Sequence, residues 1–179
     1  IGPLVATLAM LPVIVAGILL GTGAGAAMGF AAGLFSFIVW TFMPPNPVTA
    51  FVFTPTAAPG NFWSLVICFV PRILTGVVAS LMFKLLSRLL DGKKGATGVI
   101  YAVSGVLGSL TNTLLVMGGI YVFFGKSYAT AMDISFNLLL GIIGTTILTN
   151  GVLEAIVGGL VACGVCIPMK KMMRRTLPL

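Results

Sequence analysis

The sequence predicts an all-α membrane protein, a bundle of transmembrane helices, and three features of its composition lead to that prediction. Of the 179 residues, 59% are hydrophobic and only 7% are charged. The charged residues lie in short clusters between long apolar runs, and the mean hydropathy is +1.18. A soluble domain carries about 25% charged residues, because water has to solvate its surface. Most of this surface is therefore expected to face lipid.

The transmembrane segments follow from the length of the apolar stretches. A helix needs roughly 20 apolar residues to cross about 30 Å of hydrocarbon. Five stretches come near that length and form a single transmembrane domain over residues 1–179: 5–20, 23–42, 62–86, 99–124 and 134–169. The first two are separated only by Gly21 and Thr22, which predicts a tight hairpin or a kink. The connections are then residues 43–61, 91–98 and 125–133.

The orientation follows from the basic residues, because cytoplasmic loops of membrane proteins are enriched in Lys and Arg. Two places carry them: Lys84, Arg88, Lys93 and Lys94 lie between the third and fourth spans, and Lys170, Lys171, Arg174 and Arg175 follow the fifth. We expect both places, the C-terminus included, to be cytoplasmic, and the 43–61 loop to be outside. Counting back through five spans places Ile1 outside. We therefore expect six helices in the native protein, the first of which, with a cytoplasmic N-terminus, is missing from this sequence.

The composition argues against an enzyme and against nucleic-acid binding. The chain has no His and only three acidic residues, so we expect no catalytic residue, no metal and no cofactor. Cys163 and Cys166 form one C-x-x-C, and a single pair without a His cannot complete a tetrahedral zinc site. The net charge of +7 lies in clusters between apolar runs rather than over a water-facing surface. Nucleic acid is therefore not an expected partner.

Arg72 is the outstanding polar residue, because it lies near the middle of the third span. It follows Phe62 by ten residues, roughly 15 Å along a helix. An ionisable side chain at that depth costs about 2.5–3.5 kcal/mol. In one reading it faces a cavity and binds an anionic ligand group through its planar guanidinium. In the other it makes a structural pair with Glu154 or with backbone carbonyls, one of which Pro71 leaves without a donor.

The fourth and fifth spans carry further polar side chains. Asn112 and Asn150 have amide groups that hydrocarbon cannot satisfy, so each is either a ligand contact or a structural one. Thr111 lies beside Asn112, although Thr in such helices often bonds to a carbonyl of its own helix. Counting 1.5 Å per residue from an outer start at Ile134 places Glu154 roughly 30 Å down, near the cytoplasmic boundary. There it suits coupling, or packing against the basic loop, better than ligand contact.

Glycine is organised as well as frequent. Gly21, Gly25, Gly29 and Gly33 repeat every four residues and would form a small-residue face along the second span. Such a face lets another helix approach closely. Two uses remain open for it: docking of a partner membrane subunit, and packing within this chain.

Four stretches of the chain resemble the substrate-binding S components of energy-coupling factor (ECF) vitamin transporters. They are residues 11–21, which lead into the glycine-rich second span, 71–76 (PRILTG), 108–115 (GSLTNTLL) and 149–154 (TNGVLE). The resemblance implies six transmembrane helices, with both termini cytoplasmic, in the plasma membrane of a prokaryotic cell. It also implies a protein that captures a vitamin from outside and does no chemistry itself. Its partners would be a transmembrane coupling subunit and two cytosolic ATPase subunits, which supply the energy.

The resemblance places the ligand in the outer half of the bundle, beneath the loop that joins the second and third spans. Phe51, Phe53 and Trp63 would then form a lid over it, or else an interfacial aromatic belt. Arg72 favours a carboxylate, and Asn112 with nearby Thr side chains favours hydroxyl and amide groups. Pantothenate has all three. Folate shares the carboxylate, whereas riboflavin or a hydroxymethylpyrimidine precursor would leave Arg72 without an obvious ligand partner.

Two functions of other classes remain open. A secondary carrier working alone would be expected to carry inverted repeats or a relay of buried acids, and the sequence shows neither. A structural membrane adaptor would suit the glycine face. It would bind no small molecule, however, and it leaves Arg72 and the aromatic loop unexplained.

Overall fold

In the computed structural model, residues 2–90 and 95–176 are described, with the side chains of residues 9–90 and 95–173. Every regular element in these ranges is a helix, which confirms the all-α prediction. The helices are α1 (Gly2–Leu20), α2 (Thr22–Phe42), α3 (Phe62–Leu89), α4 (Ala96–Ala131), α5 (Phe136–Thr146), α6 (Val152–Val161) and α7 (Ile167–Thr176). A 3₁₀ segment covers Pro47–Val52, and π turns at Ile147–Gly151 and Ala162–Cys166 join the last three helices.

Four helical stretches within the described ranges are long and apolar enough to cross a membrane. They are Thr22–Phe42, Phe62–Leu89, Ala96–Ala131 and Phe136–Met173. The first predicted span, 5–20, lies in α1, whose apolar part with described side chains, Ala9–Leu20, is shorter. The six-helix count and the cytoplasmic C-terminus stay predictions. Of the basic residues, Lys93 and Lys94 lie outside the described residues, as do the side chains of Arg174 and Arg175.

A single residue, Gly21, separates α1 from α2. Its φ is +98°, a left-handed conformation that glycine adopts without the strain a Cβ would cause. The turn folds α2 back on α1, so that a Cβ built on Gly25 would lie 2.8 Å from the Cα of Gly17. The same Cβ would lie 2.7 Å from the carbonyl oxygen of Gly76 on α3. The junction is therefore the tight hairpin that its two-residue length predicts, and three helices meet there at backbone contact.

The connection predicted over residues 125–133 is shorter in the structure, because α4 continues to Ala131. Tyr128 and Ala129 pack against Leu139 of α5, which gives this last part of α4 an apolar partner. Gly125 lets the ring of Phe136 approach to within 2.9 Å of where a Cβ would stand. Apolar packing against the next helix thus favours extension over the loop that Gly125 and the polar residues after it suggest.

Two apolar clusters fill the two ends of the bundle. One contains Ile14, Ile18, Ala79, Tyr101 and Cys166, among others, with Phe83 packed against it. Lys170 of α7 lies over the Phe83 ring, 4.3 Å from its centroid, beside the exposed Lys84 of α3. We call this the basic end. The other cluster, with Phe51, Ile67, Val116, Ile120 and Phe124, lies beneath the 43–61 loop, and we call that the loop end.

Candidate ligand site

The register of the helices brings the predicted polar residues to one level of the bundle. A Cβ on Gly119 of α4 would lie 2.9 Å from the side chain of Ile67 on α3, and one on Gly108 would lie 3.0 Å from Ala79. Since α3 and α4 run antiparallel, Arg72 and Asn112 lie between these two contacts at about the same height. The polar centre described below is the set of Arg72, Asn112, Thr113 and Glu154.

Arg72 is buried in the middle of α3, with 5% of its surface exposed. Its neighbour Pro71 has no N–H, so the carbonyl of Ile67 has no backbone donor one turn later. Arg72 Nη1 replaces that donor, at 2.7 Å from the Ile67 oxygen. Arg72 Nε is buried and has no hydrogen-bond partner among the described residues. The structural reading of Arg72 is therefore met on one side of the guanidinium, while the Nε side retains a donor for a ligand.

The loop covers this guanidinium with Phe53. The Phe53 ring centroid is 5.2 Å from the Arg72 Cζ, which is within the range of a cation–π interaction. On its other neighbour Trp40 of α2, the Phe53 ring packs at a centroid distance of 4.7 Å. Phe53 therefore has the position over the polar centre that the lid prediction requires.

The other two aromatic residues predicted for the lid lie elsewhere. Phe51 is 2% exposed and meets Phe124 edge to face at 5.6 Å, inside the cluster at the loop end. Trp63 is 44% exposed and stacks on Phe123 of α4 at 4.1 Å, with the planes 7° apart. Phe51 thus anchors the loop, and Trp63 lies on the outside of the bundle, where an interfacial aromatic residue is expected.

Hydrogen bonds fasten the loop to the helices on both sides of it. The buried Ser64 hydroxyl of α3 donates to the Phe51 carbonyl at 2.6 Å and accepts from the Asn61 N–H at 3.1 Å. The hydroxyls of Thr41 and Thr54 lie 2.9 Å apart, which ties the loop to the end of α2. The loop is held closely over the bundle rather than extended away from it.

Asn112 contributes an unsatisfied acceptor to the polar centre. It is 9% exposed, and its Oδ1 is buried without a hydrogen-bond partner in the described part of the chain. Its neighbour Thr111 is half-buried, and the Thr111 hydroxyl donates to the Leu107 carbonyl at 2.7 Å. The Thr111 donor therefore bonds to its own helix, the alternative that the sequence left open, and only the oxygen retains accepting capacity.

Thr113 and Glu154 belong to the polar centre, and the sequence did not assign them to the ligand site. The Thr113 hydroxyl donates to Glu154 Oε2 at 2.6 Å, which joins α4 to α6. The opposite charges of Glu154 and the buried Arg72 interact electrostatically. The prediction that Glu154 lies near the cytoplasmic boundary is therefore wrong. The helix from Phe136 to Met173 has 38 residues, far more than a bilayer needs, so counting from its start overstates the depth.

Asn150 lies in the π turn Ile147–Gly151 and is half-buried. A π turn places its residues at a wider angular step than an α-helix and is frequent at functional sites. The next residue, Gly151, packs on Thr113, with 3.1 Å between a built Cβ and Thr113 Cγ2. Asn150 therefore reaches the level of the polar centre, and its contact with a ligand stays a prediction.

The glycine face of α2 is covered by α3 of the same chain. Gly25, Gly29 and Gly33 are buried, and a Cβ on Gly29 would overlap the carbonyl oxygen of Arg72. This corrects the prediction that these three glycines dock a partner subunit, because the pattern corresponds to packing within the chain. Gly21 has open space around it and serves the turn described above.

Comparison with known proteins followed from this geometry. A family model described as the substrate-specific component of ECF transporters matches residues 1–166. Over 165 residues the chain is 34% identical to the pantothenic acid transporter PanT of Lactococcus lactis subsp. cremoris (strain MG1363). That match covers 86% of this chain and 79% of the Lactococcus protein.

Proposed function

The chain belongs to the family of substrate-specific components of ECF transporters, and from this membership we propose that it captures pantothenate for an ATP-driven importer. Membership of the family makes it a transport protein of the membrane rather than an enzyme. The substrate is the finer question. The pantothenic acid transporter of Lactococcus, 34% identical over most of the chain, supports the choice of pantothenate.

The observation that carries the proposal is the half-satisfied guanidinium of Arg72. Its Nη1 is committed to the Ile67 carbonyl, whereas its buried Nε has no partner among the described residues. A carboxylate that approaches this side can accept two parallel hydrogen bonds from guanidinium nitrogens. Burial beneath Phe53 excludes water, which strengthens such a pair. Pantothenate supplies one carboxylate of this kind.

Asn112 supports the rest of the recognition. Its unpartnered Oδ1 accepts hydrogen bonds, and a ligand hydroxyl or amide N–H at the level of Arg72 would satisfy it. Burying such an acceptor without a donor costs about 1–3 kcal/mol, so a ligand that supplies the donor recovers that energy. Pantothenate carries hydroxyl groups and an amide N–H. A neutral pyrimidine or flavin would satisfy Asn112 but leave Arg72 Nε unpaired.

The partners follow from the family. We propose that a transmembrane coupling subunit and two cytosolic ATPase subunits complete the importer in the plasma membrane of a prokaryotic cell. The chain contains no G-x-x-x-x-G-K-[ST] phosphate-binding sequence, so the energy would come from those partners. The basic end, with Lys84 and Lys170, would then face the cytoplasm, and the loop end would face outside.

The test is calorimetric titration of the detergent-solubilised protein with pantothenate, followed by folate, riboflavin and a hydroxymethylpyrimidine. We expect tight binding of pantothenate with one-to-one stoichiometry. Binding of another vitamin from the panel instead would keep the capture function and replace the substrate. No heat with any of them, from protein with a cooperative thermal transition, would refute the capture function and favour the structural adaptor.

A further inference from the structure

Glu154 is an unusual residue in its place. Of the two acidic residues in the described ranges, Asp133 is exposed in the connection before α5, and Glu154 is half-buried on α6. Acidic side chains inside membrane helices are rare and almost always face the bundle interior or a water-filled cavity. Glu154 satisfies that rule, since its carboxylate reaches the buried Thr113 of α4.

The surroundings hold this carboxylate as an acceptor at the polar centre. Thr113 donates to its Oε2 at 2.6 Å, a short bond of the kind that an ionised carboxylate makes with a hydroxyl. The residue before Thr113 is Asn112, whose buried Oδ1 has no partner in the described part of the chain. Arg72 is close enough for its charge to interact with that of Glu154. A ligand bound to Arg72 and Asn112 therefore lies beside Glu154.

We propose that Glu154 recognises a hydroxyl group of the ligand. Its carboxylate accepts a hydrogen bond from that hydroxyl while Arg72 binds the ligand carboxylate, so the polar centre selects a hydroxy acid and fixes its direction. This inference rests on the proposed function. An ionised carboxylate only accepts hydrogen bonds, at about four positions on two oxygens, so Thr113 at Oε2 leaves the group with capacity for a second donor.

The same charge acts against other anions. A ligand with a second carboxylate, such as folate, brings that group into the field of Glu154 and is repelled, because like charges at short range in a medium of low dielectric repel strongly. A hydroxyl can donate to Glu154 and meets no such repulsion. Arg72 alone would favour any carboxylate. Glu154 adds the discrimination, so it is a specificity-determining residue.

The experiment pairs a protein change with a ligand change. Glu154→Gln keeps the shape of the side chain and removes its charge, and Asp133→Asn is the matched control for charge removal at an exposed acid. The two ligands are pantothenate and its analogue in which both hydroxyl groups are replaced by hydrogen. In the wild type we expect the analogue to bind at least about tenfold more weakly, the value for a lost charge-assisted hydrogen bond. Glu154→Gln should weaken pantothenate at least about fivefold and change the analogue by less than about twofold, since a neutral acceptor bonds less strongly.

A second pair of variants covers the case in which Glu154→Gln does not fold. Thr113→Val removes the donor that positions Glu154 and should weaken pantothenate more than the analogue, whereas Thr113→Ser should restore the wild-type preference. Equal losses for both ligands would mean that Glu154 is only a structural counter-ion of Arg72 and would overturn the inference. Unchanged affinity for both ligands in both Glu154→Gln and Thr113→Val would overturn it as well. A folded wild type that binds no pantothenate refutes the proposed function and this inference with it, which the wild-type titration distinguishes at once.

Discussion

Removal of the Arg72 guanidinium should weaken binding of an anionic ligand strongly. The guanidinium is 5% exposed, donates one hydrogen bond to the Ile67 carbonyl, lies 5.2 Å from the Phe53 ring centroid and has an unpartnered Nε. A carboxylate on the Nε side would accept two charge-assisted hydrogen bonds. Arg72→Ala removes both, and Arg72→Lys keeps the charge but replaces the planar fork by a point donor.

The magnitudes follow from the number of hydrogen bonds lost. A hydrogen bond to a charged group contributes about 1.5–3 kcal/mol, so the loss of two at the lower figure costs about 3 kcal/mol. Since 1.4 kcal/mol is tenfold in affinity, Arg72→Ala should raise the Kd on the order of 100-fold. Arg72→Lys loses one of the two bonds and should raise the Kd about tenfold.

The assay is titration calorimetry in detergent with pantothenate, and Arg88 supplies the control. Arg88 lies on the same helix but is exposed at the basic end, so Arg88→Ala and Arg88→Lys should leave the Kd unchanged. Thermal unfolding of each variant separates lost binding from lost folding. Unchanged affinity in both Arg72 variants would remove Arg72 from the site. Equal losses for a charged and a neutral ligand would assign it a structural role alone.

Three further changes test the packing and the loop. Gly29→Ala places a Cβ against the α3 backbone and should lower stability by about 1–3 kcal/mol, as overpacking does, whereas Gly23→Ala meets open space and should not; thermal unfolding measures both. Ser64→Ala removes the hydroxyl that holds the loop and should speed ligand dissociation severalfold, unlike Ser135→Ala at an exposed serine that makes no cap bond, as stopped-flow dissociation would measure. Phe53→Leu removes the ring over the buried guanidinium and should weaken an anionic ligand by about 0.5–2 kcal/mol, whereas Phe53→Tyr should not. Equal behaviour within any of these pairs would contradict the contact that it tests.

The sequence was sufficient for Arg72 because the signal there is local. An Arg ten residues into an apolar stretch is costly wherever the chain goes, and Pro71 removes one backbone donor whatever the tertiary structure. The structure shows the consequence, an Arg72 bond to the carbonyl that Pro71 leaves without a donor. The helix content and the hairpin at Gly21 were predictable for the same reason, since composition and a single turn decide them.

Glu154 was misplaced because its environment depends on two other helices. Its depth was counted along its own helix from a loop boundary, and that boundary was wrong by the length of the extension of α4 to Ala131 and of the helix beyond Met169. Only the contact between α4 and α6, at Gly151 and Thr113, fixes its level. A pairing of Thr113 with Glu154, 41 residues apart, leaves no trace in local periodicity.

The glycine face and the polar centre, read separately in the sequence, are two sides of one helix contact. Gly29 of α2 meets the carbonyl of Arg72 and the Cα of Ile73, so α2 lies directly on the backbone of α3 at the level of the guanidinium. The guanidinium itself interacts with the loop, through Phe53, and with Glu154 of α6. A side chain at Gly29 would push α2 away and move this part of α3 relative to both. Small residues are therefore required on α2 for a reason of function as well as packing, because they set the position of the charge that the ligand meets.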